Sequence, residues 1–108
     1  MAIIVQVLSA TSGDGETAGT FKTFAKDEVT IGRSASNDLV CAAPDVSGKH
    51  AVLGVATSGN RKTLTVTDVG SSNGTFVEDR RIPPNSAFIL AERARIVIGS
   101  FILIAFYK

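Results

Sequence analysis

At 108 residues with a formal net charge of +1, the chain has the length of one domain and no overall field for gripping nucleic acid or an acidic membrane surface. A hydrophobic share of 44% excludes a disordered composition, and six Phe with one Tyr and no Trp leave little material for stacking bases. One Cys and one His provide neither an intrachain disulfide nor a zinc cluster, and nothing calls for a cofactor or metal.

Any anion site must therefore be local. Cys41 reads as a buried, inert thiol. The start, Met1-Ala2-Ile3-Ile4-Val5, lacks the basic leader and long apolar core of a signal peptide, so the cytoplasm is the expected location. Phe101 to Tyr107 is apolar but far shorter than the roughly 20 residues a membrane helix needs. Asn73-Gly74-Thr75 matches a glycosylation sequon, which means little without export.

In chain order, Ile3 to Leu8 reads as a strand with Ile3 and Val5 on one face, followed by a polar, Gly-rich loop from about Ser9 to Thr20. Phe21 to Phe24 and Val29 to Gly32 read as a hairpin turning at Lys26-Asp27, and Leu39 to Cys41 as a short strand. Ala51 to Val55 is a further strand, with a turn at Ser58-Gly59-Asn60. From Leu64 to Val69 the alternation is clean, placing Leu64, Val66 and Asp68 on one face. A tight polar loop spans Gly70 to Gly74. Thr75 to Val77 and Arg81 to Ile82 read as strands around Glu78-Asp79-Arg80, and Pro83-Pro84-Asn85 breaks the chain. Phe88 to Leu90, Ala94 to Ile98 and Phe101 to Tyr107 complete the set, with Gly99-Ser100 as a two-residue hairpin connection.

No apolar stripe recurs at helical spacing. Many short strands separated by turns predict an all-β protein, a two-sheet sandwich, read as one domain over residues 1–108. The sequence carries no signal for an oligomeric state.

Three polar clusters stand at strand ends: Gly32-Arg33-Ser34, Ser47-Gly48-Lys49-His50 and Gly70-Ser71-Ser72-Asn73-Gly74. Loops of a sandwich gather at its two ends, so clusters distant in sequence can converge. Together they hold a guanidinium, an ammonium, hydroxyls, a carboxamide and Gly backbone N–H groups. That inventory suits a phosphate.

Ile31-Gly32-Arg33, Val46-Ser47-Gly48-Lys49-His50-Ala51 and Asp68-Val69-Gly70-Ser71-Ser72-Asn73-Gly74-Thr75-Phe76-Val77 resemble the forkhead-associated (FHA) signature, in order and at suitable spacing. The resemblance runs from about Phe21 onward. It implies a sandwich of about eleven strands, similar to the SMAD fold, that docks phosphothreonine-containing segments of partner proteins in Ser/Thr kinase signalling, with neither nucleic acid nor membrane as partner. By the same resemblance Arg33 binds the phosphate, Ser47 and Ser72 give it hydroxyl contacts, and Asn73 clamps the peptide backbone. Gly32 permits close loop packing, and His50 and Gly74 support the loops from below. A small pocket for the γ-methyl group favours phosphothreonine over phosphoserine.

One departure is Gly48, where the family commonly carries Arg, Asn or Lys. Its N–H remains but no side chain does, and Lys49 is the nearest replacement charge. Asp45 lies in the loop that in this family often reads the third residue after the phosphothreonine; a carboxylate there would disfavour an acidic residue and favour a basic one.

The isolated residues also have plainer roles. Arg33, Lys49, Arg80 and Arg81 could be solvated charges, Ser47 and Ser72 turn caps, and Asn73 a left-handed turn residue before Gly74. A catalytic triad from Ser47, His50 and Asp45 or Asp68 lacks the glycine pattern of a nucleophile elbow. Gly48-Lys49 resembles the end of a P-loop, but Ala43 and His50 stand where that motif needs Gly and Ser or Thr. The remaining rival to phosphopeptide binding is a phosphate-independent FHA-like scaffold in a larger assembly.

Overall fold

Alternating burial along the strands Glu28–Gly32, Arg95–Ile98 and Phe101–Tyr107 sets their inward faces. The computed structural model describes residues 2–9 and 19–108, Ser9 by its backbone. Its strands are β1 (Ile3–Ser9), β2 (Phe21–Phe24), β3 (Glu28–Gly32), β4 (Leu39–Val40), β5 (Ala51–Ser58) and β6 (Arg61–Asp68). They continue with β7 (Thr75–Val77), β8 (Arg80–Arg81), β9 (Phe88–Ile89), β10 (Arg95–Ile98) and β11 (Phe101–Tyr107). These eleven form a six-stranded sheet, β2-β1-β11-β10-β7-β8, and a five-stranded sheet, β4-β3-β5-β6-β9.

Ile3, Val5, Val7, Ile96, Ile98 and Leu103 from the first sheet face Val29, Ile31, Leu53 and Val66 from the second, all buried. Each such aliphatic side chain contributes about 1.5–3 kcal/mol by leaving water. The expected inward face of β6 carries Leu64, Val66 and also Asp68, all buried. Cys41 is buried, as the sequence suggested. Among the described residues no helix is long and apolar enough to cross a membrane.

The expected hairpin over residues 21–32 does not form. Strand β2 pairs with β1, Phe21 opposite Gln6 and Phe24 opposite Ile3, whereas β3 pairs with β4 and β5. The segment between them crosses from one sheet to the other. Neither Lys26 nor Asp27 has the positive φ that a tight two-residue hairpin favours. Burial explains the split: β2 is a half-exposed edge strand, while Val29 and Ile31 on β3 are fully buried.

True hairpins occur where the backbone can turn left-handed: Gly59-Asn60 with φ 59° at Gly59, and Gly99-Ser100 with φ 57° at Gly99. Glu78 and Asp79 make a third, and β8 falls one residue earlier than expected, at Arg80–Arg81. Strands β5 and β6 pair over all eight residues, longer than the sequence indicated. The expected loop from Ser9 to Thr20 lies mostly outside the described residues.

The register sorts the ends of the sandwich. Gly32, Ala51, Asp68, Thr75 and the Gly99-Ser100 turn share one end; Ile3, Ser58, Arg61 and Tyr107 share the other.

Candidate functional site

Three loops meet at the first of these ends, after β3, before β5 and after β6. Their backbones are bonded to one another. The N–H of Arg33 donates to the carbonyl of Ser47 at 2.9 Å and that of Ser34 to Gly48 at 3.2 Å. The amide of Asn37 donates to the carbonyls of Ser34 and Gly48, at 2.9 and 2.7 Å. Gly32 makes this closeness possible: a Cβ there would stand 2.3 Å from the carbonyl oxygen of Gly48. The third loop is tied in by the Ser72 N–H to Ser47 Oγ and by Asn73 Nδ2 to the carbonyl of Asp45, both 3.1 Å.

His50 lies beneath, fully buried. Its Nδ1 accepts from the Ser47 N–H at 3.1 Å, and its Nε2 lies 2.9 Å from the carbonyl oxygen of Gly74. A carbonyl can only accept, so those partners select the neutral tautomer protonated on Nε2. One ring thus spans two loops.

The third loop is shaped by Asp68. Its Oδ1 accepts from the N–H groups of Gly70 and Ser71, and its Oδ2 from the hydroxyls of Ser71 and Thr75. Burial works against the charged form, but the hydroxyls of Ser71 and Thr75 and the two N–H groups outweigh it and hold the carboxyl below its usual range. Gly74, at φ 87°, completes the turn with the Arg81 guanidinium packed against it. Arg81 is exposed, as expected, and also lies over this glycine.

Above this scaffold opens a depression of about 300 Å³, lined by Arg33, Ser47, Gly48, Ser72 and Asn73. Pro44, Asp45 and Val46 form the rest of its wall. Five of the six expected binding positions thus converge. Lys49 is exposed but does not line the depression. Gly32, His50 and Gly74 are buried behind it.

The polar groups retain capacity for a ligand. Ser47 Oγ accepts from Ser72, which leaves its own proton to donate; Asn73 keeps one N–H and its carbonyl oxygen. Arg33 is exposed and has no carboxylate within ion-pair distance among the described residues. The chemistry of these free donors suits a tetrahedral oxyanion.

The reading of Asp45 as a peptide-facing carboxylate does not match its geometry. Its Oδ2 accepts from the hydroxyl of Ser100 at 2.5 Å, and its Oδ1 is buried without a hydrogen-bond partner. The side chain is drawn to the β10–β11 turn, where Gly99 leaves room for it. Nor do Ser47 and His50 form a catalytic pair. The imidazole bonds the backbone of Ser47, not its hydroxyl, and Asp68 bonds hydroxyls and N–H groups of its own loop. Asn37 and Asp68 both tie these loops, a part that the sequence alone did not assign to them; Asp68 was weighed only as a triad acid. Asp68 was detectable: a carboxylate on the inward face of β6 needs buried partners.

Among solved structures, the chain is similar to the FHA domain of the CT664 protein from Chlamydia trachomatis, with a TM-score of 0.78 at 21% identity over 100% of this chain and 99% of that one. Full-length yeast Pml1p matches with a TM-score of 0.82 at 16% identity, over 96% and 80% of the two chains. EmbR from Mycobacterium tuberculosis, in complex with a low-affinity phosphopeptide, matches with a TM-score of 0.76 at 25% identity, over 96% of this chain and 24% of that one. No curated protein matches. The family model for the FHA domain matches residues 29–99, the span holding all three loops, and the chain belongs to the FHA domain family.

Proposed function

We propose that this domain binds phosphothreonine-containing segments of partner proteins in Ser/Thr kinase signalling in the cytoplasm. One observation carries the reading: Arg33, Ser47, Ser72 and Asn73, from three separate loops, line a single depression with donor capacity to spare. Arg33 takes two phosphate oxygens, the two serines contribute hydroxyl hydrogen bonds, and Asn73 grips the peptide backbone. EmbR, similar over this domain, was solved with a phosphopeptide, which supports the class of ligand.

A phosphate brings about −1.5 to −2 charge, and each charge-assisted hydrogen bond contributes roughly 1.5–3 kcal/mol. Two or three such bonds on preformed loops correspond to roughly micromolar affinity, about 8 kcal/mol. Titration of phosphorylated and unphosphorylated threonine peptides against the wild type and Arg33→Ala tests this. Binding of the phosphorylated form alone, lost in Arg33→Ala, supports phosphate recognition.

A phosphate-independent scaffold is favoured by one feature, the absent side chain at Gly48. Pml1, similar in fold, is a splicing factor integrated into the RES complex. Equal binding of both peptides would select that reading.

A further inference from the structure

At the opposite end of the sandwich a second cavity, of about 390 Å³, opens between the sheets. Its apolar base comprises Leu64 at the start of the inward run of β6, Leu90 just after β9, and Ala105 on β11. Ala105 is the reason for the space. It occupies an inward position in line with Phe101 and Leu103, where a larger side chain would fill the gap.

The rim is basic. Arg61, Lys62, Arg93 and Lys108 surround the opening against one lining side-chain carboxylate, Glu92, with Asp27 just outside at the Tyr107 hydroxyl. No carboxylate of the described residues lies within ion-pair distance of Arg61, Lys62 or Arg93. Two of these cations are held over aromatic faces: Lys62 stands 6.0 Å from the Tyr107 ring centre and Arg93 5.3 Å from that of Phe106. The rings fix the cations without neutralising them. A domain with a net charge of +1 thus concentrates positive charge at the mouth of an apolar slot.

The backbone at Arg93 adds a separate clue. Its φ is 61°, in the left-handed region where a side chain is strained and Gly is favoured. The turn closes by a hydrogen bond from the Ala94 N–H to the Ala91 carbonyl, at 3.1 Å. Arg93 thus stands where a turn would prefer Gly, as Glu78, Asp79 and Asn85 do elsewhere, and its own guanidinium is laid over the Phe106 ring at the cleft.

We propose that this far-end cleft is a second docking site, for an acidic, unphosphorylated segment of a protein partner that places one apolar side chain between the sheets. The basic rim attracts the carboxylates and the slot over Leu64, Leu90 and Ala105 takes the apolar group. Glu92, standing among the cations, opposes a uniformly charged surface such as a nucleic-acid backbone or lipid bilayer. A peptide can set its carboxylates on either side of it. Strand β5, eight residues long, separates the two ends by roughly 23 Å at about 3.3 Å per residue. Both sites can therefore be occupied together, and the cleft functions whether or not the other end holds phosphate.

The test is a titration of the isotope-labelled domain with an unphosphorylated peptide of about twelve Glu and Asp residues around a central Leu-Phe pair, followed by amide NMR shifts. Shifts are expected at residues 61–64, 90–93 and 105–108, and Arg33→Ala leaves the affinity unchanged. Reversing the rim with Lys62→Glu and Arg93→Glu weakens binding by at least about tenfold. Arg93→Gly relieves the backbone, so its melting temperature holds or rises while affinity falls, a combination that a purely structural role would not give. Shifts confined to the Arg33 depression, or none at about 1 mM peptide, overturn the proposal. So does equal binding of a peptide with Ser-Ser in place of Leu-Phe, or tighter binding of phosphatidylserine vesicles or duplex DNA than of the peptide.

Discussion

The backbone N–H of Ser72 donates to the hydroxyl oxygen of Ser47 across 3.1 Å, joining residues 25 positions apart and turning the remaining hydroxyl proton of Ser47 into a donor for a ligand. Ser47 thus ties two loops and still has a hydroxyl proton to give a phosphate in the proposed role. Ser47→Ala should weaken a phosphothreonine peptide by about tenfold or more, the equivalent of one charge-assisted hydrogen bond. Unfolding should change by about 1 kcal/mol or less, because the exposed Ser72 N–H can turn to water. Calorimetric titration beside a denaturant melt separates the effects; equal losses in both would make Ser47 merely structural.

His50 should behave in the opposite way. Its ring satisfies the Ser47 N–H and the Gly74 carbonyl in a fully buried position. His50→Phe keeps the approximate volume but strands both groups, at about 1–3 kcal/mol each. The expected result is a lower melting temperature with peptide affinity reduced as the loops loosen. His50→Gln, able to donate and accept, should recover part of the stability. If His50→Phe melts with the wild type, the brace is not needed.

What could be read in the sequence divides along physical lines. A period-two pattern marked β6, which buries one face, while short apolar runs bounded by turn residues marked β1 and β11. The loops were legible because glycine and hydroxyl residues cluster at strand ends, and the resemblance ordered them. The pairing of β2 with β1 was not, since nothing in Phe21–Phe24 distinguishes a hairpin partner from an edge strand of the other sheet. Side-chain direction in loops was equally hidden. Asp45 sits two residues from Ser47, yet its carboxylate meets Ser100, 55 positions away. The amide of Asn37 clamps Gly48 through a backbone carbonyl, which leaves no mark on residue type at the receiving end.

Asp68 predicts an acid response. Four hydrogen bonds to its carboxylate hold the folded-state pKa below the ordinary aspartate value despite burial. A depressed folded pKa contributes stability that is complete above the unfolded value and is lost as pH falls through the folded one. The wild type should therefore lose stability from about pH 4 downward, and Asp68→Asn should start lower at pH 7 but fall less steeply. Asp38 shifts in the same direction, held first by Lys26 at 2.5 Å and then by the Thr30 N–H. Its pair with the exposed Lys26 is open to salt, so added salt should shrink the Asp38→Asn effect and leave that of Asp68→Asn largely intact. Melting curves between pH 7 and 3 at two salt concentrations decide it. Parallel curves for the wild type and Asp68→Asn would contradict the assignment.

Two glycines within one site call for opposite outcomes. Nothing lies within 4 Å of a Cβ built on Gly48, which lines the depression, and its φ is not positive. Gly48→Arg should fold as well as the wild type and add a phosphate contact, tightening a phosphothreonine peptide by about tenfold, the value of one charge-assisted hydrogen bond. At Gly32 the same addition would meet the Gly48 carbonyl oxygen at 2.3 Å and the Asn37 amide at 2.8 Å. The carbonyl belongs to backbone already tied by the Ser34 N–H and by Asn37, so it cannot retreat without breaking those bonds. Gly32→Ala should cost about 1–3 kcal/mol, as overpacking does, and weaken phosphopeptide binding by separating Arg33 from Ser47. Calorimetric titration and thermal melts on both variants supply the check. A Gly48→Arg domain that binds no better than the wild type would mean that a long cation at this rim cannot reach the bound phosphate.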